Sequence, residues 1–247
     1  MNKSAIILAA GRGSRMGDST KSTHKCLIKL YDKTLLDWQT ETLKSAHINK
    51  IKLITGYKSE LLKGEFLKIQ NKRWSKTNMV YSLFCAPKIN SDTIVSYSDI
   101  VFNKEHIINL LNKDGDIVIT ADNDWLKLWS KRFDNPLDDA ESFKTKDDNL
   151  IGIGEKQYNI KSIQAQYMGL LKFSPNGWNL AFQKFKSLSK EKKDKIDMTT
   201  FLRLLIAETK IKVVFVKGKW CEVDTESDVK LYESILKKNK NWSHDWR

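Results

Sequence analysis

Cysteine is scarce in this sequence, with three residues in 247. Cys26, Cys85 and Cys221 lie far apart and form no CxxC motif, so neither a disulfide framework nor a zinc site is indicated. We expect them to be buried free thiols. Long apolar runs are also missing, since no stretch approaches the roughly 20 residues that cross a bilayer. The apolar stretch at 5–10 is too short for a signal-peptide core. These absences predict a cytoplasmic protein that does not bind membranes.

Acidic residues are outnumbered, and the formal net charge is +13. Such a charge favours anionic partners, of which nucleic acid is one. However, the lysines are spread along the whole chain, and there is no recognition-helix pattern, zinc finger or RNP-like aromatic motif. We therefore expect no nucleic-acid partner. A solvated, lysine-rich surface is the simpler interpretation, and its field would also attract a small phosphorylated substrate.

Hydrophobic periodicity predicts alternating strands and helices. The predicted strands cover residues 4–10, 50–56, 92–99, 116–122, 163–173, 211–216 and 219–223. The predicted helices cover residues 34–46, 59–69, 104–112, 177–187, 197–209 and 225–238. This alternation favours right-handed βαβ units and an α/β fold with a parallel sheet. Ligands bind such sheets at the carboxyl ends of strands, so the loops after Ala10, Tyr97 and Ala121 are candidate sites.

The pattern changes at about residue 123, where a charged and loop-rich stretch begins. No internal repeat and no low-complexity linker separates it from the rest of the chain. We interpret residues 1–247 as a single domain. In this domain, the region at about 123–165 is an insertion over one end of the sheet that forms a lid or an acceptor region.

The first predicted strand runs into a glycine-rich, cationic loop, LAAGRGSRMG, at residues 8–17. It is not a Walker loop, because no Gly-Lys-Ser/Thr follows at the required spacing. It is not a dinucleotide fingerprint either, because Met16 stands where the third glycine is needed. Arg15, Lys21 and Lys25 add positive charge, which suits a loop that wraps a triphosphate with its backbone N–H groups. The alternative is an ordinary basic βα loop.

Several motifs in this order resemble the nucleotidyltransferases that activate sugar phosphates and phospho-alcohols. They are LAAGRGSRMG (8–17), HKCL (24–27), TNMVYSL (77–83), SYSDIVF (96–102), QYMGL (166–170) and KWCEVDTESDV (219–229). The segments at 77–83 and 166–170 make the chain most similar to the cytidylyltransferases of phosphocholine, aminoalkylphosphonates or phosphoglutamine. The resemblance covers most of the chain. One position departs from it, because His24 replaces the proline that precedes the lysine in this family, whereas Lys25 is present.

The resemblance implies a Rossmann-like nucleotidyltransferase fold with a mostly parallel, mixed sheet flanked by helices. It also implies an Mg²⁺-dependent enzyme that moves CMP from CTP to a small phosphorylated amine or amino acid and releases pyrophosphate. Such products serve cell-surface polysaccharide or lipid decoration, and a homodimer is expected. Two alternatives stay open. One is a sugar-1-phosphate nucleotidyltransferase that uses UTP, dTTP or GTP, and the other is a non-enzymatic module that binds nucleotides or nucleic acid.

The resemblance also assigns residues to the nucleotide and the metal ion. Arg15 and Lys25 match the catalytic cations around the triphosphate, and we expect both to face solvent. Asp99 and Asp224 match the metal ligands, although a strand-ending turn and a helix entry would explain them as well. Asp228 forms a capping box with Thr225 instead. The expected nucleotide-binding residues are Leu8, Ala10, Gly11, Gly13, Ser14, Asn78 and Ser82.

The acceptor site is expected in the inserted region and the strand after it. A cationic head group needs aromatic faces and a carboxylate. An amino-acid acceptor would place its amine on Asp139 or Glu141, and its carboxylate on Arg132 or Lys131. Core packing and a solvated rim are the alternative explanations for such residues. The expected acceptor-binding residues are Trp129, Arg132, Asp139, Glu141 and Tyr167.

Overall fold

The fold is described here from a computed structural model, which describes residues 3–247. Its strands, in chain order, are β1 (Ser4–Ala9), β2 (Lys29–Leu30), β3 (Lys33–Thr34), β4 (Lys50–Thr55), β5 (Leu67–Gln70), β6 (Thr93–Tyr97), β7 (Ile100–Phe102), β8 (Ile117–Asp122), β9 (Glu141–Lys146), β10 (Asn149–Lys156), β11 (Gln166–Phe173), β12 (Ile211–Val216) and β13 (Trp220–Glu222). Nine of these form one sheet in the order β5-β4-β1-β6-β11-β8-β12-β10-β9. β7 pairs with β13, and β2 pairs with β3, in two small ribbons.

The helices flank this sheet. They are α1 (Ser19–Ser22), α2 (Leu35–Ser45), α3 (Met79–Leu83), α4 (Lys104–Asn112), α5 (Trp125–Arg132), α6 (Pro175–Ser187), α7 (Lys190–Lys195), α8 (Met198–Ile206) and α9 (Glu226–Lys238). The predicted capping box of Thr225 and Asp228 is present at the start of α9. α1 and α7 are short and were not predicted. Within residues 3–247, no helix combines the length and the apolar character needed to traverse a bilayer.

The sheet is mixed, as predicted. β1 pairs in parallel with β4 and β6, and β8 pairs in parallel with β12. β11 is antiparallel to both β6 and β8, so its first residues lie at the same edge as their carboxyl ends. Every residue of β1 is buried, as expected for a central parallel strand with both faces covered. This edge gathers the ends of strands that are distant in sequence.

The predicted helix at 59–69 is wrong. The segment has a single 3₁₀ turn at Ser59–Leu61, and it ends in β5, which pairs in parallel with β4 at the edge of the sheet. Gly64 between them has a φ of 143°, which a helix cannot contain. The apolar spacing was misleading because Leu67 belongs to the edge strand and is exposed.

The stretch at 123–165 is more regular than its sequence indicated. It contains α5 and a hairpin of β9 and β10, and β10 pairs with β12 to extend the main sheet. The hairpin turns at Asp147 and Asp148, whose φ values of 49° and 58° are typical of a two-residue turn. Exposed lysines in β9 break up its apolar pattern, so the sequence did not indicate a strand there, although charged residues are common on edge strands.

Candidate active site

A cavity of about 250 Å³ opens where the glycine loop leaves β1. We call it the loop cavity. Its lining residues are Leu8, Ala10, Gly11, Gly13, Ser14, Arg15, Lys25, Trp74, Thr77, Asn78, Met79, Ser82, Tyr97, Ser98 and Asp99. All seven residues that the sequence assigned to the nucleotide line this cavity, together with both predicted catalytic cations and one predicted metal ligand.

The glycine loop packs closely on the segment that carries Lys25. Gly13 has a φ of 67°, and a Cβ there would lie 2.7 Å from the Cβ of Lys25. Only glycine fits both the left-handed backbone and the close approach. Thr20 adds a hydrogen bond of 3.2 Å from its hydroxyl to the carbonyl of Gly13. The glycine at position 13 therefore holds the loop against the base of the cavity.

His24 ties the same segment to the end of β1. Its Nε2 lies 3.0 Å from the carbonyl oxygen of Ala9, and its Nδ1 accepts a hydrogen bond of 3.2 Å from the backbone N–H of Cys26. This pattern assigns the neutral tautomer with the proton on Nε2. Burial lowers the pKa of His24, and the bond to Ala9 opposes this shift. At the position of the family proline, His24 thus fixes the turn before Lys25 through hydrogen bonds.

Lys25 lies between two of the predicted metal ligands. Its Nζ is 2.8 Å from Asp99 Oδ2 and 2.8 Å from Asp224 Oδ1. The expectation that Lys25 faces solvent is wrong, because the residue is 5% exposed. The expectation holds for Arg15, whose side chain is 60% exposed and whose Nη2 is 2.7 Å from Asp224 Oδ1. Two facing carboxylates explain why an ammonium group is stable in this buried place.

The charges of this cluster shift one another's pKa values. Burial disfavours the ammonium of Lys25, but Asp99 and Asp224 outweigh it, so the pKa of Lys25 lies above its usual value. Burial likewise disfavours the charged form of Asp224. Lys25, Arg15 and Arg132 outweigh that effect and hold the pKa of Asp224 below its usual value. The lysine and this aspartate are therefore both charged at neutral pH.

A third carboxylate, Glu222, completes the cluster and was missed from the sequence. Asp99, Glu222 and Asp224 each offer one oxygen, and these oxygens lie within 4.8 Å of one another. Glu222 ends β13 and Asp224 is two positions further on, and this i, i+2 spacing of carboxylates could have revealed Glu222. Burial, followed by the charge of Asp224, raises the pKa of Glu222 to about 8.

The three carboxylates fit a divalent cation. Asp99 Oδ1 is buried and has no hydrogen-bond partner among the residues that the structure describes. An orphaned carboxylate oxygen is costly unless a cation or water satisfies it. Hard cations such as Mg²⁺ prefer carboxylate oxygens. The donor set and the unpaired oxygen thus favour a metal site at the edge of the loop cavity.

The structure contradicts the predicted acceptor role of Arg132. Its side chain is 1% exposed and faces Glu222, Asp224 and Asp228 instead of a cavity. A guanidinium that is forked onto carboxylates in this way is not available to an acceptor. Lys131, the other candidate for an acceptor carboxylate, is exposed. The sequence placed Arg132 near the site correctly, but the direction of its side chain depends on contacts with β13 and α9.

A second cavity of about 200 Å³ adjoins the first, and we call it the hairpin cavity. Its lining residues are Arg15, Tyr97, Trp129, Asp139, Glu141, Ser142, Phe143, Ile153, Gln166, Tyr167, Thr199 and Glu222. Four of the five residues predicted for the acceptor are among them. Arg15 and Tyr97 line both cavities, so the two cavities are neighbours at these residues.

Carboxylates and aromatic rings dominate the hairpin cavity. Asp139 accepts a hydrogen bond of 3.1 Å from Trp129 Nε1, which orients the carboxylate. The backbone of Glu141 is held by Gln166, which accepts from its N–H at 3.1 Å and donates to its carbonyl at 2.6 Å. Burial raises the pKa of Glu141. With Arg15 as the one cation among the described lining residues, this cavity suits a ligand group that carries positive charge.

Comparisons with known proteins agree with this geometry. Residues 5–148 match the family described as "MobA-like NTP transferase domain". The "CTP:phosphoglutamine cytidylyltransferase" of Campylobacter jejuni is 37% identical over 247 residues, covering 92% of this chain and 98% of the relative. The "Choline-phosphate cytidylyltransferase" of Haemophilus influenzae is 37% identical over 107 residues, covering 40% of this chain and 45% of the relative.

A solved structure shows the same fold. The CTP:phosphocholine cytidylyltransferase of Streptococcus pneumoniae superposes with a TM-score of 0.69 at 21% identity, covering 96% of this chain and 100% of that one. The family match spans more than half of the chain, and the Campylobacter relative spans nearly all of it. The chain therefore belongs to the MobA-like NTP transferase family and is a nucleotidyltransferase of the cytidylyltransferase type.

Proposed function

We propose that this enzyme transfers CMP from CTP to the phosphate of phosphoglutamine, with Mg²⁺ as its metal ion. The observation that carries the proposal is the joining of two unlike cavities at Arg15 and Tyr97. One is built around a glycine loop, and the other is acidic and aromatic. The name of the Campylobacter relative, which aligns along almost the whole chain, supports both substrates.

In this proposal, the loop cavity holds CTP. Successive backbone N–H groups of the glycine loop can face phosphate oxygens, since the loop is open and Gly13 allows a left-handed turn. Asn78 and Ser82, which line the same cavity, contact the base and ribose in this proposal. Ser82 is fixed for this role by a hydrogen bond of 2.9 Å from the amide of Asn71. Arg15 is exposed and able to follow the triphosphate.

The proposed reaction is a displacement at the α-phosphorus of CTP. A phosphate oxygen of the acceptor forms the new bond to this phosphorus, and the bond from the phosphorus to the bridging oxygen of the β-phosphate breaks. Pyrophosphate leaves with that electron pair. The attacking oxygen is already anionic, so no strong general base is needed. Positioning and charge neutralisation are therefore the main tasks of the protein.

Arg15 and Lys25 perform these tasks on the protein side. Arg15 reaches from one cavity to the other and can bring the two anionic substrates together. Lys25 keeps Asp99 and Asp224 charged and oriented. Asp99, Glu222 and Asp224 would hold Mg²⁺, which would neutralise charge on the phosphate oxygens when bound.

The hairpin cavity binds the acceptor in this proposal. Asp139 and Glu141 receive the ammonium group of the amino acid, beside the rings of Trp129 and Tyr167. Because Arg132 and Lys131 do not line the cavity, the acceptor carboxylate is left with the hydroxyl groups of Ser142 and Thr199 and the guanidinium of Arg15. In this proposal the region at 123–165 acts as the acceptor region, since it supplies Trp129, Asp139 and Glu141.

Pyrophosphate release tests the proposal. We would measure it with CTP, UTP, GTP and dTTP, each combined with phosphoglutamine, phosphocholine, 2-aminoethylphosphonate and glucose 1-phosphate. The reactions would be run with Mg²⁺ and with a chelator, and Lys25→Ala would serve as the inactive control. We expect the highest kcat/KM for CTP with phosphoglutamine. In the presence of the chelator, we expect no pyrophosphate release. A preference for glucose 1-phosphate with UTP, dTTP or GTP would contradict the proposal. The absence of pyrophosphate release with every combination of nucleotide and acceptor would contradict it too.

The expected homodimer, cytoplasmic location and role in surface decoration stay predictions. Light scattering on the purified protein tests the dimer.

A further inference from the structure

Arg132 is the most enclosed cation at the site, and it contacts three carboxylates at once. Its Nη1 lies 3.2 Å from Glu222 Oε2, its Nη2 lies 3.2 Å from Asp224 Oδ2, and its Nε lies 3.0 Å from Asp228 Oδ1. The guanidinium is also flanked by two rings, at 5.4 Å from Trp129 and 5.0 Å from Phe133. The guanidinium plane is thus held by aromatic rings, and its N–H groups are held by carboxylates.

This arrangement divides the oxygens of Asp224 between two kinds of cation. Oδ2 faces Arg132, whose side chain is 1% exposed. Oδ1 faces Lys25 and Arg15, of which Arg15 is largely exposed. The planar fork of an arginine orients a carboxylate in a way that a lysine does not. Arg132 therefore sets the plane of Asp224 and leaves its other oxygen toward the centre of the cluster.

Glu222 is oriented by the same group. Its Oε2 accepts a hydrogen bond from Arg132 Nη1. Asp228, which belongs to the capping box of α9, accepts one from Arg132 Nε. Without a central cation, these carboxylates would repel one another at close range. Arg132 offsets this repulsion from behind, on the side away from the cavities, since it lines neither of them.

We propose that Arg132 is a positioning residue that orients Glu222 and Asp224 so that one oxygen of each converges with Asp99 on a divalent cation. The proposal rests on the metal site of the proposed function. It assigns Arg132 no contact with either substrate, in contrast to the acceptor role that the sequence suggested.

Direct metal binding tests this role. We would titrate the whole protein with Mn²⁺ alone and follow free Mn²⁺ by electron paramagnetic resonance. Arg132→Lys keeps the charge and removes the fork, and we expect its Mn²⁺ affinity to fall ~10–100-fold, as for other residues that orient metal ligands. The acceptor KM at saturating metal should stay unchanged. Arg247→Lys is the matched control, because Arg247 forks onto Asp245 and is outside both cavities.

The outcomes separate the possible roles. Unchanged Mn²⁺ affinity in a folded Arg132→Lys protein would overturn the proposal, and a raised acceptor KM with unchanged affinity would restore the acceptor role. Circular dichroism and thermal melting check the fold. If Arg132→Lys is unfolded, Asp228→Asn removes a charged partner that holds the guanidinium but offers no ligand to the cation, so it should still weaken Mn²⁺ binding, and unchanged affinity would overturn the proposal. No Mn²⁺ binding by the unaltered protein would contradict the proposed metal site itself.

Discussion

The two cavities are built in different ways. Nearly half of the residues that line the loop cavity come from 8–25, and several of these are glycine, alanine or serine. The hairpin cavity draws on β6, α5, β9, β10, β11, α8 and β13, and large side chains form its walls. One continuous segment that exposes its backbone can hold phosphates, whereas scattered side chains can recognise a particular head group. If the two cavities hold the nucleotide and the acceptor as proposed, chemistry and acceptor choice should be separable by mutation.

Their charges differ as well. The loop cavity has Arg15 and Lys25 against Asp99, and the hairpin cavity has Asp139, Glu141 and Glu222 against Arg15 alone. Substitutions in the first cavity should therefore change turnover with every acceptor. Substitutions of Asp139 or Glu141 in the second should change the KM of one acceptor relative to another.

The largest effect is expected for Lys25→Ala. Turnover should fall by ~100-fold or more, the usual size of the loss when one preorganised polar group is removed from an active site. Stability should also fall, by roughly 3–5 kcal/mol, because Asp99 and Asp224 lose their buried partner. We would measure kcat and urea unfolding, with Lys21→Ala, at an exposed position in the neighbouring α1, as the control. Turnover near the original value would show that the chemistry does not depend on this lysine.

Arg15→Ala sharpens the same comparison. We expect a similar loss of turnover but an unchanged midpoint of unfolding, since the Arg15 side chain is 60% exposed and ion pairs of exposed groups contribute little. A clear loss of stability in Arg15→Ala would contradict the distinction between a fixed and a mobile cation.

Asp99→Asn and Asp224→Asn should each abolish metal-dependent activity, and the double variant should be no worse than either single one. Both residues are expected to hold one ion, so either loss removes the same function. Asp228→Asn should retain much more activity and lose about 1 kcal/mol or more of stability, because Asp228 closes the capping box of α9 and pairs with the buried Arg132. Steady-state rates at varied Mg²⁺ distinguish the two groups. Activity in Asp224→Asn together with its loss in Asp228→Asn would reverse the assignment.

An effect on acceptor binding alone is expected for Glu141→Gln, in the hairpin cavity. The acceptor KM should rise by ~10-fold or more, which corresponds to one charged hydrogen bond, and the CTP KM should stay the same. Charge reversal in Glu141→Lys should have a larger effect of the same kind. Glu155→Gln, at an exposed position on the same hairpin, is the control. Equal changes in both KM values, or none, would argue against an acceptor site here.

The smallest effect is expected for His24→Asn, and it should depend on pH. Burial holds the pKa of His24 below its usual 6.5, so the folded state prefers the neutral ring. The stabilisation is fully present above pH 6.5 and is lost as the pH falls through the lower folded pKa. The difference in unfolding free energy between the unaltered protein and His24→Asn should therefore shrink on acidification. The control is His47→Asn, at an exposed position, and a constant difference would contradict a buried neutral His24.

The parts of the site that are local in sequence could be predicted. The glycine loop, Asn78 and Ser82, and the carboxylate at the end of β6 each lie in a short motif whose spacing limits where the side chains can be. The same is true of the Thr225 and Asp228 cap. The main strands were also predictable, because a fully buried strand such as β1 is an uninterrupted apolar run.

The parts that depend on distant contacts could not be predicted. Lys25 is buried and pairs with Asp224, which is 199 positions away in sequence. The residues around Lys25 give no indication of this pairing. The direction of the Arg132 side chain is set by β13 and α9. The edge strands β5 and β9 carry polar or exposed residues, so their periodicity is weak, and tertiary pairing decides their structure.

The central claim is that the loop cavity holds the nucleotide and the hairpin cavity holds the acceptor. A crystal structure with Mg²⁺, a non-hydrolysable CTP analogue and phosphoglutamine tests it most directly. We expect the triphosphate on the glycine loop, the metal on Asp99 and Asp224, and the acceptor ammonium within hydrogen-bonding distance of Asp139 or Glu141. A nucleotide outside the loop cavity, or an acceptor that contacts neither carboxylate, would contradict the account.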